Sequence, residues 1–230
     1  MEIDFCNKEC CLELEKAIKK IDVEQTVNLL DELKRRVEIT YRTRIIATNR
    51  LRDKNTEYKR LNIYYSVLVT GGSILTIGMQ TKNSQIPASN IVLMFSIVLT
   101  YFMFYTSEQN LQERAYKMEE TFKGLDKLRN KISIMLEYNK LDITEEMCKK
   151  LYKEYEAILA SIENHEEIDY YMYKLDCLKK EHISDDKKEE YSETKGKVKK
   201  YTQWKSRKIF LKYFIPTVVM IMLILPSIGL

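Results

Sequence analysis

His165 and Asp169 are the residues of this 230-residue chain whose types and spacing most invite a chemical reading. Four positions apart, they are expected to meet on one helix face, and an imidazole beside a carboxylate is a common pairing for proton transfer. The surrounding run, Glu163-Asn164-His165-Glu166-Glu167-Ile168-Asp169-Tyr170, offers no Ser, Cys or metal ligand at motif spacing. The pair is therefore assigned a structural or interaction role, and no catalytic residue is expected. Cys6, Cys10 and Cys11 lie close enough to share a soft metal, but no His or fourth ligand stands nearby, so packing or surface thiols are the preferred reading and no metal or cofactor is expected. With Cys148 and Cys177 they make an odd set of five, which fits a reducing compartment. A glycine loop able to cradle phosphate is absent from the sequence, and Met1 to Lys20 is too polar and acidic for a cleavable leader.

A second set of residues could line or seal a path through lipid. Ser66, Thr70, Ser73 and Gln80 fall within a narrow arc of one helix, and Ser96, Thr100 and Ser107 share a side of another. Gly71 and Gly78 occupy a different arc with Val67, where close helix approach is expected. The polar arc is a candidate pore lining. Its bland alternative is that each hydroxyl bonds a carbonyl of its own helix.

These residues sit on elements that the charge pattern delimits. The chain as a whole has a mean hydropathy of -0.37 and 31% charged residues, yet charge is nearly absent from 62–81, from 90–107 and from 213–230. Two apolar stretches, about 61–80 and 91–107, predict a transmembrane hairpin, since a bilayer core needs roughly 20 mainly apolar residues. A third, 209–230, carries Pro216 and Pro226 and predicts a C-terminal membrane segment, with an interfacial or re-entrant segment as the alternative. Lys34, Arg35, Arg36, Arg42, Arg44, Arg50, Arg52, Lys54, Lys59 and Arg60 crowd the approach to the first stretch, while Lys82 stands alone in the loop after it. That asymmetry places the N-terminus on the cytosolic side. No ionisable group interrupts the first two stretches, which argues against a proton pump or ion-coupled transporter.

The rest reads as cytosolic helix, giving an all-α membrane protein: a two-span hairpin, long cytosolic helices packed as a bundle, and a third hydrophobic helix. Residues 1–38 form an N-terminal helical segment with Leu29, Leu30, Leu33 and Val37 on one stripe. Leu111, Ala115, Met118, Phe122, Leu125, Ile132 and Leu136 recur at steps of four and three, broken only at Arg129, and predict a heptad seam along a helix of 108–138 that continues from the second span. The seam is a candidate subunit interface or the inner face of a bundle. A turn near 139–142 leads to a second long helix, 144–182, with Thr144 as its cap. Residues 183–208 read as a basic polar linker or frayed helix.

Two separated features then resemble one family. They are Tyr41-Arg42-Thr43-Arg44-Ile45-Ile46-Ala47-Thr48-Asn49-Arg50-Leu51 ahead of the hairpin, and Tyr155-Glu156-Ala157-Ile158-Leu159 followed by Asn164, His165 and Asp169. Together they resemble the SLATT domain, a two-transmembrane effector domain, over a region bounded here as 39–182. The resemblance implies a multi-pass protein of the bacterial inner membrane that acts in anti-phage defence. Such a protein would assemble with itself in the lipid bilayer and disrupt it when a neighbouring-gene sensor, such as a reverse transcriptase or an oligonucleotide cyclase, detects infection. Arg50, Asn164, His165 and Asp169 are the positions that match the family pattern. The alternative is a non-conducting anchor or scaffold that recruits a cytosolic enzyme or sensor. Direct nucleic-acid binding is not expected, because the basic stretches nearest the spans serve orientation and anionic lipid.

Overall fold

A computed structural model describes residues 4–78, 88–138, 143–162, 165–180 and 187–224, with the side chains of 4–22, 76–78, 88, 91 and 223–224 also outside the description. Every regular element among these residues is essentially helical. In chain order they are α1 (Asp4–Gly78), α2 (Ala88–Glu108), α3 (Leu111–Tyr138), α4 (Glu145–Ala160), α5 (Glu167–Lys180) and α6 (Lys188–Ile224). They divide into two compact units: Met1–Ala47 with Lys117–Tyr173, and Thr48–Tyr116 with Lys174–Leu230.

The first unit is built on a conventional apolar core. Leu30, Leu33 and Val37 of α1 repeat at steps of three and four, and they pack with Leu125, Leu128 and Ile132 of α3 and with Cys148 and Leu151 of α4. Each fully buried side chain of this size contributes about 1.5–3 kcal/mol. Polar contacts fix the register at the rim. Arg129 donates to Glu38 at 2.8 Å and to Asp126 at 2.6 Å, and its guanidinium lies 4.8 Å from the centre of the Tyr41 ring. Thr144 caps α4 by accepting the amide of Met147, as expected, and Glu145 and Glu146 in the first turn complement the helix dipole.

In the second unit Leu51, Leu111 and Ala115 pack with Tyr58, and Leu61, Val92, Leu175, Leu178 and Met220 are also buried. A left-handed Asn110, with φ of 45°, separates α2 from α3. Its amide bonds the carbonyl of Ser107 and its carbonyl accepts from Arg114, so one asparagine stops one helix and starts the next.

Several expectations are corrected. The two-span transmembrane hairpin fails first: among the described residues no helix is long and apolar enough to cross a membrane. Of the expected stretches, the described part of 61–80 is the C-terminal end of α1, 91–107 lies within α2, and the described part of 209–230 is the C-terminal end of α6 with Pro216 inside it. The loop with Lys82, and Gln80 before it, lie outside the described residues. The helix expected over 108–138 does not continue from α2, because Asn110 intervenes. The helix expected over 144–182 is two, α4 and α5, and the polar run expected as a linker is helical from Lys188 and continuous with the C-terminal segment as α6. Pairs such as Lys197–Glu193 at 2.8 Å support that polar helix.

Candidate functional site

The His165 region is organised by the start of α5. His165 precedes that helix instead of lying on it, and Asp169 occupies its third position. The buried Asp169 carboxylate reaches back to accept the amide of Glu166 at 3.0 Å, while the Asp169 amide donates to the Glu166 carbonyl at 3.0 Å. The carboxylate bond is the N3 half of a capping box, and the amide bond closes a backbone turn beside it. Arg44, 1% exposed, is the partner that spacing did not single out. Burial pushes the His165 imidazole below its ordinary range; Asp169 acts upward and Arg44 downward. Burial likewise lowers Arg44. The imidazole is therefore neutral at neutral pH, and the carboxylate beside it is engaged in holding a helix start, as suits a structural cluster. Asn164 lies outside the described residues. Arg50, half-buried on α1, belongs to the second unit. The Tyr155-to-Leu159 run has its own packing role: the Tyr155 hydroxyl bonds Thr40 Oγ1 at 2.9 Å, and Ile158 lies against Gly124, where an added methyl would sit 3.6 Å from its Cδ1.

The hydroxyl arc is engaged with its own backbone. Ser66 donates to the carbonyl of Asn62 at 2.7 Å, Ser73 to that of Val69 at 2.8 Å, Ser96 to that of Leu93 at 2.7 Å and Thr100 to that of Ser96 at 2.9 Å. Thr70 is exposed beside them. Gly71 faces open space, whereas a methyl at Gly72 would overlap the Met220 side chain and touch Val92 at 3.7 Å. Gly72 is therefore the glycine of the two that faces a neighbour, the flexible end of Met220, and Gly78 is the last residue of α1. The seam residues Leu111, Ala115, Met118, Leu125, Ile132 and Leu136 are buried within the single chain, and Phe122 sits edge-on to Tyr41 at 6.1 Å.

Within the second unit, α1 and α6 meet at a proline. Pro216 has no amide hydrogen, so the carbonyl of Lys212, four residues earlier, loses its helical donor. The Tyr65 hydroxyl donates to that carbonyl at 2.9 Å. Its neighbour Tyr64 bonds the carbonyl of Tyr213 at 3.1 Å and the hydroxyl of Thr217. Lys212 Nζ reaches Glu57 at 2.7 Å and lies 5.0 Å from the Tyr58 ring centre, while Phe102 of α2 sits edge-on to Tyr65 at 5.3 Å. Two tyrosines on one side of a proline, far apart in sequence, were the signal that charge and hydropathy patterns did not carry.

Outside this junction the second unit presents apolar side chains to its surroundings. Leu93, Met94, Ile97, Val98, Tyr101 and Phe104 of α2 are exposed, as are Phe210, Phe214, Ile215 and Met222 of α6. Lys208 Nζ lies 3.4 Å from the ring centre of the exposed Trp204, just before that apolar run. Exposed apolar side chains thus recur along both helices, with an aromatic and a lysine at the start of the α6 run.

Among the described residues no group of three or more His, Cys, Asp or Glu could hold a metal. The side chains of Cys6, Cys10 and Cys11 lie outside the described residues, and Cys148 is a buried thiol whose ionisation burial makes harder. Comparison with known proteins matches residues 26–230 to a family model described as SMODS and SLOG-associating 2TM effector domain family 5. No curated protein and no solved structure matches the chain.

Proposed function

We propose that this chain, which belongs to the SMODS and SLOG-associating 2TM effector domain family 5, is the membrane-acting effector of a bacterial anti-phage defence system. The family is one of effector domains and points to membrane association. The observation that carries the finer reading is the exposed apolar face of α2, from Leu93 to Phe104, with its counterpart on α6. Burying such a face in lipid removes apolar surface from water at about 25 cal/mol per Å². The site of action is the bacterial inner membrane, with the N-terminus cytoplasmic, as the basic residues from Lys34 to Arg60 favour. The chain acts without catalysis: several copies assemble on the bilayer and permeabilise it when a neighbouring-gene sensor, a reverse transcriptase or an oligonucleotide cyclase, signals infection. Cell death or growth arrest follows.

One observation favours a second reading. Ser66, Ser73, Ser96 and Thr100 spend their hydroxyls on their own helices, as helix-stabilising and packing residues do. On that reading the chain is a non-conducting anchor that recruits a sensor or enzyme. Expression in cells carrying a membrane-potential dye, with and without the neighbouring genes, separates the two. The effector collapses the potential when the system is triggered, and an anchor leaves it intact. Thr70→Leu with Ser73→Leu narrows and dries the polar arc; it lowers toxicity and dye response together if that arc meets the permeating water.

A further inference from the structure

A cleft of about 220 Å³ lies among α1, α2 and α6 within the second unit. Phe95, Leu99 and Phe102 line it from α2, at the steps of four and three that put them on one helix face. That face is the inner one: the three residues are half-buried, whereas Leu93, Met94 and Ile97 on the other side of the helix are exposed. Tyr65 and Val69 of α1 and Pro216 and Met220 of α6 face them. Water entering the cleft meets little that it can bond. The Tyr65 hydroxyl is the polar side-chain group of the lining, and it already donates to the Lys212 carbonyl. A dry apolar space of roughly 150 Å³ admits a small hydrocarbon, and this one is larger. The cleft also has an apolar end and a basic one. At the first, the buried Met220 side chain ends beside Gly72 and Val92. At the second, α6 arrives at Pro216 from Lys208 and Lys212, with no acidic residue between Thr194 and Ile224. Glu57 offsets Lys212 at 2.7 Å. Lys208 is exposed over the Trp204 ring, about 12 Å along the helix from Pro216.

We propose that this cleft binds the alkyl chain of an anionic amphiphile, with the tail between Pro216 and Met220 and the acidic head toward Lys208. A hydrocarbon lining at one end and uncompensated positive charge at the other match that ligand class and no purely polar one. A free fatty acid and an acidic phospholipid share this chemistry. The inference concerns binding alone and holds whether or not the chain permeabilises membranes.

The test is photo-crosslinking of the full chain in digitonin, a detergent without alkyl chains, using palmitic acid with a diazirine in the distal half of its tail. Adducts mapped by peptide mass spectrometry are expected on Val69, Phe95, Leu99 and Met220, at least about fivefold above those on Leu93, Met94 and Ile97. This map of the unaltered chain decides by itself. Val69→Phe and Leu99→Phe fill the cleft and each lower the inner adducts by about tenfold while the helical circular-dichroism signal is kept, whereas Ile97→Phe on the outer face lowers nothing. The corresponding diazirine alcohol, which has no charge, is expected to label about fivefold less than the acid, and Lys208→Glu removes that difference. Displacement of the probe by unlabelled phosphatidylglycerol assigns the site to lipid, and displacement by unlabelled palmitate alone assigns it to the free acid. Adducts spread evenly over both faces of α2, or equal labelling by the acid and the alcohol, overturn the proposal.

Discussion

Leu30, Leu33 and Val37 of α1 and Met94, Val98, Tyr101 and Tyr105 of α2 recur at the same helical steps, yet the first set is 0% exposed while the second is 68%, 57%, 74% and 53% exposed. Periodicity reports that a face is apolar. It does not report what covers the face. The difference lies in the residues between. Asp31, Glu32, Lys34, Arg35 and Arg36 give α1 a solvated back, with Arg35 and Arg36 both held on Glu32, whose carboxyl they lower to about 2. Between Ala88 and Ser107, α2 has no charged residue at all. The first unit thus solves its apolar problem within one chain, and the second leaves part of it for another surface.

The largest effect tests that contrast directly. Leu128→Ala in the first unit is expected to cost about 3 kcal/mol in urea unfolding of the detergent-solubilised chain, whereas Ile97→Ala on α2 stays within about 0.5 kcal/mol. Equal costs would erase the distinction. The same logic applies to the seam: Phe122→Lys with Leu125→Lys is expected to lose the helical circular-dichroism signal of the first unit, not merely to dissociate subunits. A folded monomer from that variant would return the seam to an intersubunit role.

The glycines sharpen the comparison inside the second unit. Gly72→Leu drives a side chain into Met220 and Val92 and is expected to destabilise by about 1–3 kcal/mol, while Gly71→Leu points into open space and changes thermal stability little. Spacing singled out Gly71 and Gly78, whereas Gly72 is the glycine beside Met220 within the chain; which arc of α1 meets α6 is set by residues distant in sequence, and no local pattern carries that. The buried stripes of α1 and α3, apart from Leu29, which is exposed, the Thr144 cap and the polar character of the His165 neighbourhood were legible, since each follows from spacing within one element. Asn110 as a helix break, Asp169 as part of a capping box and Tyr65 on the Lys212 carbonyl were not. The first needs a left-handed backbone that Asn tolerates but does not announce, and the last joins residues 147 positions apart.

The tyrosine contact makes a smaller prediction with a built-in control. Tyr65→Phe leaves the Lys212 carbonyl without its donor and is expected to cost about 1–2 kcal/mol. Pro216→Ala restores the helical amide, so in that background the same substitution should cost about half as much or less. Thermal melts of the four proteins complete the cycle. If the cost of Tyr65→Phe is the same with alanine at 216, the hydroxyl acts through ring packing on Phe102 and not through the proline-freed carbonyl.

The smallest effect concerns pH and falls on the first unit alone. His165 is neutral when folded because burial, with Arg44 nearby, lowers its pKa from the ordinary 6.5, against a smaller upward pull from Asp169. Above that ordinary value neither the folded nor the unfolded chain protonates the imidazole, and stability is insensitive to it. As the pH falls below 6.5 the unfolded chain takes up a proton that the folded chain refuses, so stability declines until the pH reaches the lowered folded value and then levels off. Wild-type protein melted at pH 7.5 and pH 5.5 should therefore lose stability at the lower pH, and His165→Gln should lose less by an amount of at most about 1 kcal/mol. An identical pH loss in the Gln variant would mean that the imidazole keeps its solution affinity for protons, and that the Arg44 side of the first unit is open to water in a way its 1% exposure does not suggest.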